Sequence, residues 1–263
     1  DESASVESQS EVTPALASRF PWVTHEILRT SSTLGLHSIL STPVGTQDGF
    51  VLQAPLPGEP LCARREGNDP NFFFFFQDVI TQIGITFPFS SFEIEVLNHL
   101  RVAPSQLYPN SWGFLRCFEL FCSELKIPCT VPLFFYYYSP HTPRTGREPP
   151  NRKGWISFRS QSSRKLFGPF SESFRGFKDK FFKVVASPHC QPFFLSGPES
   201  SDVDWVFPLY WSHDHYKQDT YNYRFVEEEL SDSDASSIFV ISEFVGIHGQ
   251  PKTSDYIGGG RRT

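Results

Sequence analysis

The chain has 263 residues, 39% of them hydrophobic, 28 of them Phe, and a formal net charge of −6. No apolar run approaches the ~18–20 residues of a membrane-spanning helix. Five Cys, an odd number, with no signal peptide in view, argue against a disulfide-stapled secreted scaffold. The expectation is an intracellular chain with one aromatic core between polar segments. Since it begins at Asp1 and contains no Met, the chain is read as a fragment whose start, with any targeting segment, lies upstream.

Residues 1–70 are expected to be disordered or linker. The first nineteen are mostly Ser, Glu, Val and Ala, and 41–70 are rich in Pro and Gly, as in STPVGTQDG and APLPGEPL. PWVTHEILRT between them has only Trp22, Ile27 and Leu28 as large apolar anchors, enough for one short amphipathic turn.

A domain is expected over 71–217. It opens with NFFFFFQDVITQIGITFPF, whose five consecutive Phe have no period and fit a buried strand or a helix equally; they are read as core. SSFEIEVLNHLRV then carries Ser90 and, three residues on, Glu93. That is the form of a capping box, followed by an apolar stripe of Phe92, Val96, Leu97 and Leu100. NSWGFLRCFELFCSELKIP predicts a second helix with Asn110 or Ser111 as N-cap and Pro128 beyond its end. TVPLFFYYY predicts a third, capped by Thr130 with Pro132 in the first turn. After a loop over SPHTPRTGREPPNRKG the pattern becomes strand-like in WISFRS, parts of RKLFGPF, KFFKVVAS and WVFPLYWS. Helices followed by strands predict an α+β fold, N-terminal helices packed with a small antiparallel sheet. Residues 218–263 are acidic and read as a largely disordered tail, SIFVISEFVGI excepted.

Charge is distributed unevenly. Residues 71–195 carry 14 basic and 8 acidic side chains (+6) between flanks of −5 and −7, and 144–183 alone carry 11 against 3 (+8). The basic stretch alternates cations with rings, a composition that suits phosphate contact and base stacking. The candidate phosphate contacts are Arg152, Lys153, Arg159, Arg164, Lys165, Arg175, Lys178, Lys180 and Lys183. The candidate stacking rings are Trp155, Phe158, Phe167, Phe174 and Phe177. In WISFRS, however, Ile156 and Phe158 share the natural core face, and Trp155 is expected to be the exposed ring.

Enzymatic constellations are missing from the sequence. Cys117, Cys122 and Cys129 lack the C-x2-C spacing of a zinc knuckle, and the imidazoles of His213 and His215 have no evident partners beyond His189 and Cys190. There is no G-x-S-x-G elbow, no phosphate-cradling glycine loop and no Asp-Thr/Ser-Gly turn. Asp78, Glu93, Glu95, Glu119 and Glu124 are expected mostly at exposed positions. No catalytic residue, metal or cofactor is expected.

The order of blocks is distinctive: SSFEIEVLNHLRVAPSQLYPNSWGFLRCFELFCSELKIPCTVPLFFYYY, then GWISFRS, KLF, GFKDKFFKV and WVFPLYWS. From about Phe72 to Ser212 it resembles the gypsy-type transposon (transposase-like) domain family of plants. APSQL-x-PN-x-W-x-FLR-x-FE is its most specific part, carried by Ala103, Pro104, Pro109, Asn110, Trp112 and Phe114; Phe177 stands where the family usually has Trp. The resemblance implies a retroelement-derived domain with no established catalytic residues. The expected role is a non-catalytic nucleic-acid-binding or assembly module in the nucleus, with DNA, RNA, itself or another protein as partner. No membrane or small-molecule partner is expected. The alternatives are a capsid-like scaffold module or a transposase or integrase fragment.

Overall fold

The computed structural model describes residues 14–42, 50–67, 70–142, 153–168, 176–186, 207–213 and 219–257. The expected α+β class is found, built on a three-stranded antiparallel sheet of order β1-β5-β2: β1 is Phe50–Gln53, β2 Phe72–Phe76 and β5 Phe181–Ala186. The central strand is therefore the last in sequence. Its register runs from Phe50 opposite Ala186 on one side to Phe76 opposite Phe181 on the other.

The Phe run is β2, and all five of its rings are buried. Successive side chains of a strand point to opposite faces. Phe73 and Phe75 pack edge-on against Phe87, and Phe75 also against Trp112. Phe72, Phe74 and Phe76 turn the other way, onto Tyr210, Phe181 and Phe177. Both faces are covered, so no alternation was available to mark the strand.

A π-helical turn, Val79–Ile83, follows and ends at Gly84, whose φ of 82° is a left-handed conformation that glycine adopts without strain. Helix α4, Ser91–Leu100, starts at the expected capping box. Glu93 N donates to Ser90 Oγ (3.1 Å) and Ser90 N donates to Glu93 Oε2 (2.9 Å). Helix α5, Pro109–Leu125, is capped by Tyr108, with Pro109 rather than Asn110 or Ser111 at its entry. It ends where Lys126 turns left-handed at φ 54° and Ile127 N reaches back to Cys122 O (3.0 Å). Helix α6, Val131–Tyr137, has the expected Thr130 cap and runs directly into β3, Tyr138–His141. Strand β3 takes up residues expected to be loop, and pairs antiparallel with β4, Ser157–Ser160. The described parts of RKLFGPF and WVFPLYWS form no strand; they insert Leu166, Phe167, Phe207 and Trp211 into the core from irregular backbone.

The folded unit extends beyond 71–217 on both sides. Three short helices precede the sheet: α1 Pro14–Arg19, α2 His25–Arg29 and α3 Leu36–Leu40. Helices of five or six residues do not persist alone, and backbone bonds to distant segments hold them. Thr24 N donates to Lys153 O (2.9 Å), and Thr33 N to Asp179 O (2.7 Å). On the other side, α7 spans Asp232–His248, with Ser231 as N-cap. Thr130 Oγ1 at the start of α6 donates to the buried Asp234 (2.5 Å), and the α5 ring of Phe121 packs edge-on against Phe244 and Tyr256. Residues 1–13 and 258–263, expected to be disordered, lie outside the described residues.

Candidate functional site

Seven of the nine basic candidates fall within the described residues; Arg152 and Arg175 lie outside them. Three of the seven are held in ion pairs to segments more than a hundred residues away in sequence. Lys178 pairs with Glu26 of α2 and lies 5.1 Å above the Trp155 ring. Lys180 faces the buried Asp78 at 4.0 Å. Lys183, on the central strand, lies 2.7 Å from Glu59 and 4.5 Å from the centre of the Phe72 ring. Arg164 lies flat on Tyr136, its guanidinium carbon 3.8 Å from the ring centre. Lys153 bridges to Val23 through its backbone. Arg159 on β4 and Lys165 are exposed, and neither makes an ion pair among the described residues.

The rings proposed for stacking are core. Phe158, Phe167 and Phe177 are buried, as is Trp155, the one expected to be exposed. Trp155 packs between Phe177 and Trp211, and the Lys178 ammonium lies over its ring. Phe174 lies outside the described residues.

A second cluster was not anticipated. Glu93, expected at an exposed position, is 4% exposed beneath α5. Ser90 Oγ, which accepts from Glu93 N in the cap, also donates to Glu119 Oε1, so one serine links the two acids, its hydroxyl holding the Glu119 carboxyl and its backbone N–H the Glu93 carboxyl. Arg116, one turn earlier on α5, stands 3.8 Å from the other oxygen of Glu119. Burial, with the Glu119 charge second, pushes the Glu93 carboxyl up to about 8. Burial also raises Glu119, against the opposing effects of Ser90 and Arg116. The Cys129 thiol beside them is pushed well up by its hydrogen bond to Cys122 and by burial. Two close buried carboxyls cannot both be charged at low cost, and burial favours the protonated form of each. Glu93 lies beside Phe92 and one turn before Val96 and Leu97, so its place next to the apolar stripe was available in the sequence; the capping box alone suggested a solvated end.

Cys62, Cys117 and Cys122 are buried small apolar groups, and burial pushes the Cys62 and Cys117 thiols up to about 12. Among the described residues no group of three or more His, Cys, Asp or Glu side chains is placed to hold a metal ion. His213 packs against Trp22 at 5.6 Å. No helix among the described residues is long and apolar enough to cross a membrane.

Residues 74–141 match the protein family described as "Putative gypsy type transposon", 68 of 263 residues or about a quarter of the chain. Comparison with curated proteins and with solved structures gave no match. The matched segment runs from the third Phe of β2 to the end of β3. It contains the whole Ser90–Glu93–Glu119 cluster and none of the nine basic candidates.

Proposed function

We propose that this gypsy-type transposon-related chain is a non-catalytic assembly module that works through protein surfaces rather than by gripping nucleic acid. The supporting observation is the pairing of Lys178, Lys180 and Lys183 with Glu26, Asp78 and Glu59. A lysine already facing a carboxylate releases no counterion on meeting a phosphate unless that pair is first broken. The rings beside these lysines are buried and offer bases no stacking platform. Arg159 and Lys165 are the exposed remainder of the described set.

Titration of the whole chain against single- and double-stranded DNA and RNA at several salt concentrations tests this reading. Two phosphate contacts give a log–log slope of about −2 or shallower. A slope of about −3 to −5, the response of four to six contacts, would overturn the assembly reading in favour of nucleic-acid binding. Charge reversal at Arg159 and Lys165 is the clean control, because neither supports the fold through an ion pair among the described residues.

A further inference from the structure

Arginine-directed protein kinases select a substrate by seating the guanidinium of an arginine three residues before the acceptor serine or threonine against their own carboxylates. The chain has that spacing at two places only, Arg29–Ser32 and Arg159–Ser162. The fold treats the two serines differently. Ser32 Oγ donates to Phe181 O at the start of β5 and accepts from Leu34 N (3.3 Å), so its hydroxyl is engaged in holding the N-terminal segment against the sheet.

Ser162 stands on an exposed turn that leaves β4. Gln161 fastens the start of the turn. Its N donates to Tyr137 O (2.9 Å), and its Nε2 donates to Phe135 O and Tyr136 O, both at 3.0 Å. Arg164 fastens the end, its N donating to Gln161 O (3.0 Å) and its guanidinium lying on the Tyr136 ring. Between these anchors Ser162 and Ser163 are exposed, and neither hydroxyl takes part in the bonds that hold the turn. Arg159, on the outward face of β4, and Lys165 are exposed on either side, with no ion pair among the described residues to compete for them. A single backbone bond closes the turn internally, so it opens into the extended form of a kinase substrate without disturbing the core.

We infer that Ser162 is a phosphorylation site for an arginine-directed kinase, with Arg159 as its recognition residue. In the transfer, Ser162 Oγ bonds to the γ-phosphorus of ATP while the bond from that phosphorus to the β–γ bridging oxygen breaks. ADP leaves, and the hydroxyl proton passes to the catalytic aspartate of the kinase. The phosphate brings about two negative charges at neutral pH, which cancel the exposed cations of Arg159 and Lys165. The consequence, though not the site, rests on the assembly reading: the modification withdraws the last open cations of the described basic set from polyanions and leaves the chain to its protein contacts.

Incubation of the whole folded chain with Mg-ATP and the catalytic subunit of the cyclic-AMP-dependent kinase tests it, with the phosphate located by fragmentation mass spectrometry. Uptake at Ser162 is expected, and Ser32 should stay unmodified. Ser162→Ala should abolish uptake and Ser163→Ala should leave it intact. Arg159→Ala should slow it about tenfold or more, with an unchanged melting temperature. No uptake, modification of Ser32 as fast as of Ser162, or indifference to Arg159→Ala would overturn the inference. The phosphorylated chain should also leave immobilised heparin at lower salt than the unmodified chain, and unchanged elution would overturn the neutralising role. Failure of uptake together with a shallow salt response would sink the Ser162 site alone; uptake together with a steep salt response of the unmodified chain would sink the assembly reading and leave the site standing.

Discussion

Lys183 Nζ lies 2.7 Å from Glu59 Oε1, and both side chains are only 12% exposed. The pair joins the central strand to the segment between β1 and β2, with the Lys183 ammonium over the Phe72 ring. Ions this sheltered have lost most of their water, and each depends on the other for compensation. Neutralising one alone, as in Lys183→Met, should therefore cost about 2–4 kcal/mol of stability by urea denaturation. The double variant Lys183→Met, Glu59→Leu should recover most of that loss. A double variant destabilised by the sum of the two single losses would mean that the pair is not coupled.

The carboxyl pair predicts a pH dependence of definite sign. The Glu93 carboxyl rises from an ordinary 4.5 to about 8 in the fold. A raised acid contributes stability that is fully present below about pH 4.5 and lost as pH climbs toward about 8. Each tenfold change in proton affinity corresponds to about 1.4 kcal/mol, so the swing across this window is a few kcal/mol. Glu93→Gln keeps an acceptor for Ser90 N and removes the titration. Urea melts from pH 5 to 9 should show the wild type losing stability relative to the variant as pH rises, and parallel curves would count against the raised Glu93 carboxyl.

Lys126 closes α5 in a left-handed conformation, φ 54°, that costs a side-chain-bearing residue energy and suits glycine. It is exposed and without an ion pair among the described residues. Lys126→Gly should stabilise the chain by up to about 1 kcal/mol, read as a rise in melting temperature. A fall in melting temperature would show that the lysine side chain contributes more than the backbone strain costs.

The segment after residue 217 should prove indispensable to folding. A chain ending there lacks Phe244 and Tyr256, whose rings cover Phe121, and Asp234, which accepts from the α6 cap. It should lose cooperative unfolding and bind a hydrophobic dye such as ANS. A cooperative melt at the full-length temperature would contradict this.

Local signals made part of this fold legible in the sequence. The Ser90 box and the α6 cap at Thr130 each rest on residues three apart, and both are found. The strand character of Phe72–Phe76 was hidden because rings cover both of its faces. Helix α7 was hidden because Ile238, Phe239, Val240, Ile241, Phe244, Val245 and Ile247 draw no single stripe after an acidic run. The +8 block could be counted but not paired. Glu26, Glu59 and Asp78 lie at least 102 residues from Lys178, Lys183 and Lys180, and only the folded chain brings them together.

The position of β5 between β1 and β2 also sets a timetable for synthesis. β2 is complete at residue 76, yet its hydrogen-bonding partner begins at residue 181, 105 residues later. At ~5–20 residues per second, a ribosome takes roughly 5–20 s to deliver it. Throughout that interval a fully aromatic five-residue strand, uncharged and free of proline, has no native partner along either edge. Segments of that composition pair readily with copies of themselves. The nascent chain should therefore need a holding chaperone over this stretch, and isolated pieces that end before β5 should aggregate when made alone.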